Sequence, residues 1–450
     1  MKKRFYESLL LLYSTIKWLV LSTIIGIIVG LSTTVFLKLL NISIKFTGRF
    51  SFYFFFLPLA FFLTILIVKY LAPEAEGHGT EKVIEAIHKN NGKINPLVVP
   101  VKLIATIVTL ALGGSAGKEG PSAQIGAGLS SLFADLFRFN DRDRKKLVIC
   151  GISAGFASVF GTPIAGAIFG VEVLVVGSML YEVLLPSFIS GMVSFQVSSR
   201  FGITYFYHHL NTSFDFNETV LINIIVAGIF FGLVSFFFIE ILKLFEFLSE
   251  KIKIWSPLKG IIGGILLVIL TFIFSEQFLG LGLETIENAL NGRNVIWYAF
   301  IMKIIFTGIT LNFGGSGGII TPIFFVGATA GSFIASLLHL DKATFASIGM
   351  VSLLAGAANT PIAASIMFIE LFGNNNAPYG AIASIISFIM TGHRSVYPSQ
   401  MVGTKKSALI DITIGTEMEN INTEYIFEND VLLNKIIKYL NRLKSKLFKK

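Results

Sequence analysis

Long stretches without charge dominate the chain, and they are of two kinds. Trp18–Leu37, Phe50–Val68 and Thr219–Ile239 are continuous, and each supplies about the 20 apolar residues that a membrane-spanning helix needs. The run 147–171 is also uncharged, but glycine, threonine and proline interrupt it. Irregular backbone at membrane depth persists only where protein buries it or where it lines a water-filled path. The pattern predicts an all-α polytopic membrane protein with broken helices, as in a transporter.

The amino-acid composition narrows the class of protein further. Of the 450 residues, 54% are hydrophobic and 14% are charged, and the mean hydropathy is +0.75. A soluble domain of this length keeps a polar shell, which this composition does not provide. The single cysteine, Cys150, excludes a disulfide scaffold, and the net charge of +9 is spread over an apolar chain. We therefore expect no nucleic-acid partner, no cofactor and no metal.

The most informative feature is an internal repeat. Lys102–Pro121 and Lys303–Pro322 align at an offset of 201 residues, and they share two aligned threonines and a GGS motif. The motif TPIA recurs at 162–165 and 360–363, and a glutamate follows each copy at the same distance. Duplicated halves with helix breaks at corresponding positions are typical of transporters that bind their substrate near the membrane midplane.

Basic residues at both ends predict the orientation. Lys2, Lys3 and Arg4 open the chain, and Lys435–Lys450 carries seven Lys or Arg and no acid. The positive-inside rule then places both termini in the cytoplasm of a multi-pass cell-membrane protein. The predicted parts are a cytoplasmic N-terminal segment (1–17), a first membrane repeat (18–200), a linker (201–218), a second membrane repeat (219–402) and a short basic cytoplasmic tail (403–450).

The helix breaks carry the candidate chemistry. The segment 113–121, GGSAGKEGP, suits a helix start, since glycines allow a sharp turn and proline fits a first helical turn. The segment 318–322, GIITP, is the same break without a charge, and Gly77-His-Gly79 is a third candidate start. Free N–H groups and the positive dipole end of a helix bind anions. Several such ends near mid-membrane would hold an anion weakly enough to release it.

Glu119 is the most informative single residue. A carboxylate in a membrane costs about 2.5–3.5 kcal/mol on insertion scales, so it indicates function by default. Beside N–H groups that suit any anion, it can occupy the place of the substrate, and protonation would release it. An anion bound nearby favours that protonation, which links proton uptake to anion occupancy. The alternative is a surface pair of Lys118 with Glu119 at a helix end, and the equivalent residue Ile320 is apolar.

Two enzyme-like motifs lie in the same segment. Ser115 matches a nucleophile elbow, but Ser316 matches it equally in the second half, and neither half has a matching histidine and aspartate. The segment 113–118 resembles a phosphate-binding loop with the wrong spacing and no following Ser or Thr. Neither motif predicts an enzyme. A cation carrier would display more acids at the breaks, where Glu119 stands beside a lysine.

The segments 117–121 (GKEGP), 318–322 (GIITP) and 392–400 (GHRSVYPSQ) resemble the signatures of the CLC family of chloride channels and chloride/proton antiporters. The likeness covers roughly residues 15–402. It implies an all-helical homodimer in which each subunit has its own pore. It also implies two inverted repeats whose broken, tilted helices meet at a midplane anion site. No match to the family's C-terminal regulatory domains is found, as in its prokaryotic members.

The resemblance assigns roles residue by residue. Glu119 falls on the gating glutamate, and it is also the candidate for the proton path. The N–H groups of Ile319 and Ile320 fall on the central chloride site, and Tyr397 falls on the tyrosine whose hydroxyl contacts that anion. Read without the resemblance, Tyr397 would be an aromatic residue of the membrane interface. The predicted anion-binding residues are Gly117, Lys118, Glu119, Gly120, Ile319, Ile320, Tyr397 and His78.

Three departures from the family pattern bear on mechanism. His78 stands where relatives carry a serine that contacts the anion, and it either alters selectivity and pH response or caps a neighbouring backbone. Val173 stands where antiporter relatives carry an acid and channel relatives carry valine, whereas Glu172 matches a structural acid. Lys118 replaces the commoner arginine, which keeps the charge without the bidentate geometry.

The expected function is chloride transport through a CLC-type pore gated by Glu119, leaning towards passive conduction because of Val173. Chloride/proton antiport and fluoride/proton exchange are the open alternatives. The expected partners are chloride, another halide or nitrate, protons, the lipid bilayer and a second copy of the chain in a homodimer.

Overall fold

The computed structural model describes residues 2–208, 210 and 218–425. These residues form sixteen α-helices, four short 3₁₀ turns and four two-residue strands. The helices are α1 Lys2–Thr47, α2 Leu57–Leu71, α3 Gly79–Lys89, α4 Val98–Ala111, α5 Glu119–Leu136, α6 Asp141–Phe160, α7 Pro163–Glu172, α8 Tyr181–Arg200, α9 Glu218–Lys251, α10 Ser256–Ile273, α11 Leu283–Leu290, α12 Ala299–Asn312, α13 Ile320–Leu338, α14 Lys342–Ala358, α15 Pro361–Phe372 and α16 Ala377–Met390.

The strands only fasten loops together. β1 (Val175–Val176) pairs in parallel with β2 (Met401–Val402), and β3 (Ile410–Asp411) pairs antiparallel with β4 (Glu424–Tyr425). The fold is therefore all-α, as predicted.

Among the described residues, five helical segments are long and apolar enough to cross a membrane. They are Tyr6–Thr47, Tyr53–Leu71, Glu218–Lys251, Ser256–Ile273 and Ile320–Leu338. Two of the three continuous uncharged runs lie inside the first and third of these segments, and the run Phe50–Val68 overlaps the second from Tyr53 onwards. The most apolar stretch of α13 is 83% buried, against 33–44% for the same measure in the other four. An apolar helix covered on all sides belongs to the interior of a bundle, so α13 is a central helix.

The two halves of the chain contact each other reciprocally. The Ser115 hydroxyl pairs with the Thr307 hydroxyl at 3.1 Å, and the Thr106 hydroxyl pairs with the Ser316 hydroxyl at 3.3 Å. The offset of 201 converts one pair into the other, because Ser115 corresponds to Ser316 and Thr106 corresponds to Thr307. When a residue of one half contacts a residue of the other, and their two repeat partners make the same contact, the halves are related by a two-fold axis. This is expected for two inverted repeats.

Glycines bring the central helices close together in each half. A Cβ on Gly126 of α5 would lie 2.5 Å from the carbonyl oxygen of Gly151 in α6. At the corresponding place, a Cβ on Gly327 of α13 would collide with the carbonyl of Gly349 in α14. Small residues at helix interfaces let backbones approach in membranes. The two halves that repeat in the sequence therefore also pack their central helices in the same way.

Two acids fasten the halves to each other. Glu172, at the end of α7, accepts hydrogen bonds from the N–H groups of Ile362 and Ala363 at 3.0 and 2.8 Å. Glu370 of α15 accepts from the N–H groups of Ile164 and Ala165 at the same two distances. Each carboxylate satisfies the free donors of a helix start in the other half. These bonds give Glu172 the helix-end role that its repeat partner indicates.

The ends of the described chain join the body. Residues 2–17 of the predicted N-terminal segment belong to α1, which continues without a break to Thr47. Within the predicted tail, the Lys406 ammonium donates to Asn359 Oδ1 at 2.6 Å and to the carbonyl of Phe388 at 2.7 Å. The basic run Lys435–Lys450, and residues 209 and 211–217 of the linker 201–218, lie outside the described residues.

Candidate functional site

Three helix starts converge at the centre of the molecule. A Cβ on Gly120, in the first turn of α5, would lie 3.1 Å from Gly318 Cα and 3.3 Å from Gly79 N. The N–H and carbonyl of Gly117 pair with those of Gly318 in two hydrogen bonds of 2.6 Å. His78 also forms a bridge with Gly317. The breaks at 77–79, 113–121 and 314–322 therefore meet, as the sequence predicts.

The glycines are needed at these breaks. Gly113 and its repeat partner Gly314 have φ values of 101° and 105°, a region that side chains with a Cβ rarely occupy. The residues that cap α3, α5 and α13 are His78, Lys118 and Ile319, and none of their side chains caps its own helix. The capping side chains therefore leave the first N–H groups of these helices to other acceptors, such as an anion or the carboxylate of Glu119, which binds the Thr321 N–H.

Two buried lysines hold the loops that lead into the site. The Lys102 ammonium donates to the carbonyls of Ala75 and Gly77 at 3.1 and 2.5 Å. Lys303, its repeat partner, donates to the carbonyls of Phe278 and Gly280 at 3.1 and 2.8 Å. Both side chains are fully buried. Lys102 therefore fixes the peptide that precedes His78 and places a positive charge behind the site.

Glu119 is fully buried and lies on the donors of the second half. Its Oε2 accepts from the backbone N–H of Thr321 at 3.2 Å, and its Oε1 accepts a short hydrogen bond from the Thr321 hydroxyl. A Cβ on Gly117 would collide with Oε2. No salt bridge involves this carboxylate in the part of the chain that the structure describes. It occupies anion donors in the way the sequence predicts for a gate.

Tyr397 lies in a loop that Gln400 fastens to the body. The Tyr397 N–H donates to Ser395 Oγ at 2.9 Å, and the Gln400 amide donates to the carbonyls of Val173 and Ala358, each at 2.8 Å. The Tyr397 ring is fully buried, 5.9 Å from the ring of His78. These contacts place Tyr397 and His78 together on one side of the converging helix starts.

Four polar atoms near this point are buried without a hydrogen-bond partner among the described residues. They are His78 Nδ1, Thr80 Oγ1, Glu81 Oε2 and the hydroxyl oxygen of Tyr397. Buried polar groups in proteins are normally paired with protein or water. These four atoms lie beside the starts of three helices. They can bind an ion and the water molecules that accompany it.

A cavity opens at each end of the spanning helices. The first, of about 880 Å³, reaches from His78 and Ser316 to Lys69 at the end of α2. The second, of about 740 Å³, reaches from Lys118 to Tyr53, directly before α2. Because α2 runs from one cavity to the other, the site lies between two entrances. Their charged lining residues include Glu81, Lys82, Glu85, Lys89, Lys243, Glu246, Glu250, Lys259 and Glu419 in the first, and Lys38, Lys118, Glu276 and Glu284 in the second.

At the exposed rim of the first cavity, Lys89 and Glu417 form an ion pair of 3.1 Å. The hydrogen bond from Lys89 to this carboxylate raises the pKa of Lys89 above its usual range. The lysine therefore stays charged across the physiological range and keeps a cation at the mouth.

The structure brings all the predicted anion-binding residues to this region. Ile319 and Ile320 are buried at the start of α13, beside the Gly117–Gly318 pair. Val173 is buried, and its carbonyl accepts from Gln400. No titratable side chain therefore stands at position 173. Glu172, next to it, is committed to the start of α15.

A family model described as "Voltage gated chloride channel" matches residues 59–392. The chain belongs to the CLC family of voltage-gated chloride channels. The resemblance seen in the signature segments is thereby confirmed, together with the all-α polytopic membrane fold and a function in anion transport.

Known relatives of the CLC chain differ in what their names state. A "Chloride/fluoride channel protein" of Pseudomonas syringae pv. tomato is 35% identical over 89% of this chain and 90% of its own length. The H(+)/Cl(−) exchange transporter ClcA of Salmonella paratyphi B is 28% identical over 70% of this chain and 72% of its own.

Solved structures agree with the fold of the CLC chain. The crystal structure of a CLC-type fluoride/proton antiporter has a TM-score of 0.82, with 27% identity over 86% of this chain and 98% of the other. A slow cyanobacterial Cl⁻/H⁺ antiporter has a TM-score of 0.74 and 19% identity, covering 83% of this chain and 94% of the other. The second likeness concerns the fold alone.

Sequence reasoning missed three residues of the site. Thr321 binds Glu119, Gln400 anchors the tyrosine loop, and Glu81 enters the first cavity. Thr321 and Gln400 lie inside the signature segments, so their positions were a signal. Glu81 could be recognised only as an acid in the first turn of a predicted helix, which is a weaker indication of a functional role.

Proposed function

We propose that this protein exchanges fluoride for protons across the cell membrane, with Glu119 serving both ions. The observation that carries the proposal is the pair of donors, N–H and O–H of Thr321, that hold the carboxylate of Glu119. Strong donors in a small space favour a hard, compact acceptor such as a carboxylate oxygen or fluoride. The fluoride/proton antiporter and the chloride/fluoride channel among the relatives support the same choice of anion.

The exchange follows from competition for one set of donors. While Glu119 is ionised it holds the donors of Thr321 and blocks an anion. Protonation removes its charge and weakens those hydrogen bonds, so an anion takes the donors and the neutral side chain leaves. An anion bound nearby disfavours loss of the proton. An anion at the site therefore favours protonation of Glu119, and protonation of Glu119 favours binding of the anion. This dependence couples the transport of the anion to the transport of the proton.

Passive chloride conduction is the second candidate, and Val173 favours it. An acidic side chain at that position could carry protons from the first cavity, whereas the side chain of valine cannot bind a proton. In this reading Glu119 opens and closes the pore, and protons do not cross with the anion. Proton-coupled chloride exchange is the third reading, in which the site binds both halides.

The setting of the transporter follows from the charge pattern of the chain. The basic ends place both termini in the cytoplasm by the positive-inside rule. The first cavity, lined by Met418 and Glu419, would then open to the cytoplasm. We propose a homodimer of this kind in the cell membrane, acting in transport and not as an enzyme.

Efflux from proteoliposomes tests the choice of anion. Vesicles loaded with equal fluoride or chloride are diluted into impermeant buffer, and an ion-selective electrode records release. Faster release of fluoride, reduced by Thr321→Val and restored by Thr321→Ser, supports the proposal. Faster release of chloride through an active protein contradicts it and favours one of the chloride readings.

A further inference from the structure

We propose that Glu81 is the proton-loading group on the side of the first cavity, serving Glu119 in place of the acid that position 173 lacks. The inference rests on the proposed exchange of an anion for protons. The geometry points to it through the position of one carboxyl group between the cavity and the tyrosine loop.

Glu81 lies in the first turn of α3, two residues after the helix start that joins the site. One oxygen, Oε1, accepts from the N–H of Ser399 at 2.9 Å and from the Ser399 hydroxyl. The other oxygen, Oε2, is buried and has no partner among the described residues. The carboxyl group is thus held firmly by one atom while the second is free to take a proton.

The carboxyl group reaches both water and the site. Glu81 lines the 880 Å³ cavity together with His78 and Ser316, which belong to the converging breaks. Tyr397 lies in the same loop as Ser399, the partner of Glu81, and its ring lies 5.9 Å from the ring of His78. The proposed route of a proton from Glu81 to Glu119 runs through water in the cavity and the hydroxyl of Tyr397.

The surroundings of Glu81 determine the pKa of its carboxyl group. α3 is a short polar helix and not one of the five spanning segments. Burial raises the pKa of Glu81 to about 7, against the opposing hydrogen bonds from Ser399. An acid that titrates near neutrality can both accept and release a proton in each cycle. The titratable or charged groups that share its cavity or helix are Glu76, His78, Lys82, Glu85, His88, Lys89, Lys69, Lys243, Glu246, Glu250, Lys259 and Glu419, with Lys102 behind the loop.

The proton balance is simple. The Glu81 carboxylate takes a proton from water in the first cavity and becomes a neutral acid. The neutral acid gives that proton to the chain of water and the Tyr397 hydroxyl, which passes one on to the Glu119 carboxylate. Glu81 returns to the ionised form, and neutral Glu119 releases the donors of Thr321. No oxidant or further reactant is needed.

The test is Glu81→Gln in proteoliposomes, with a fluoride gradient driving proton movement. Glutamine can still accept from Ser399 but cannot carry a proton. We expect fluoride flux to persist while the ratio of protons to fluoride falls by roughly tenfold or more. Glu81→Asp, which keeps a titratable group, should restore much of the ratio. The matched control is Glu85→Gln, one helical turn away in the same cavity, which should keep the wild-type ratio.

The possible outcomes separate the inference from the proposed function. Wild-type protein that moves fluoride without protons refutes the exchange itself, and the role of Glu81 falls with it. Wild-type coupling that Glu81→Gln leaves unchanged refutes the role of Glu81 alone. An equal loss of fluoride and proton fluxes in Glu81→Gln, with wild-type thermal stability, would make Glu81 a positioning residue for the Ser399 loop and would also overturn the inference.

Discussion

The carboxyl group of Glu119 is held by the backbone N–H and the hydroxyl of Thr321, 202 residues further along the chain. Both residues come from helix breaks that correspond in the internal repeat. The first half contributes a removable anion, and the second contributes the donors that bind it. A site built in this way changes from closed to open when one side chain becomes neutral.

The hydroxyl of Thr321 is expected to set the pH at which the site opens. Thr321→Val removes a hydrogen bond to a charged group, which is worth about 1.5–3 kcal/mol. The docked carboxylate is then less stabilised and leaves the site more readily. The maximal fluoride efflux from proteoliposomes should be lower, because the anion loses the same donor, and half of that maximum should be reached at a higher pH than in the wild type. Thr321→Ser, which keeps the hydroxyl, should retain the wild-type profile, and an unchanged profile in Thr321→Val would contradict the role of the hydroxyl.

Glu172 and Glu370 are expected to act alike, as reciprocal helix caps. Glu172→Gln and Glu370→Gln each weaken two hydrogen bonds from helix N–H groups, so each should lower the free energy of unfolding by about 1–3 kcal/mol. Thermal unfolding in detergent measures the loss. The ratio of protons to fluoride should stay at the wild-type value in both variants. A lower ratio in Glu172→Gln alone would instead make Glu172 part of the proton path.

The two buried lysines offer a matched comparison between the halves. Lys102→Met removes the cation that fixes the carbonyl before His78, so the apparent affinity for fluoride should fall by roughly tenfold. Lys303→Met frees the equivalent loop of the second half, which lines the other cavity. It should lower thermal stability with a smaller effect on affinity. Equal effects of the two variants on fluoride affinity would show that Lys102 has no special relation to the site.

Close backbone contact at the helix starts is also testable. A Cβ on Gly318 would lie 2.7 Å from Gly120 N and 3.3 Å from Glu119 N, so Gly318→Ala must push α5 and α13 apart. We expect fluoride flux to fall by at least roughly tenfold in folded protein, because misplaced donors bind the anion poorly. Gly48→Ala, at the end of α1, is the control. Its Cβ meets only the carbonyl oxygen of Ile44, at 3.1 Å, and its flux should match the wild type.

Much of this architecture could be predicted because the chain carries it twice. The offset between Lys102 and Lys303 revealed the halves, and the breaks that contain glycine and proline revealed the helix starts. Glu119 stood out because a membrane carboxylate is costly. Local sequence did not reveal the contact between Glu81 and Ser399, which are 318 residues apart. The use of Thr321 as a donor to Glu119 was missed for the same reason, since only the folded chain brings the two breaks together.

The exchange of fluoride for protons is the central claim, and one recording tests it most directly. Wild-type protein and Glu119→Gln are reconstituted in vesicles with a fluoride gradient and no initial pH difference, and external pH and fluoride are recorded together. The account predicts that the fluoride gradient drives protons uphill in the wild type, and that Glu119→Gln abolishes this movement. Fluoride flux in the wild type without any movement of protons would contradict it and identify a passive pore.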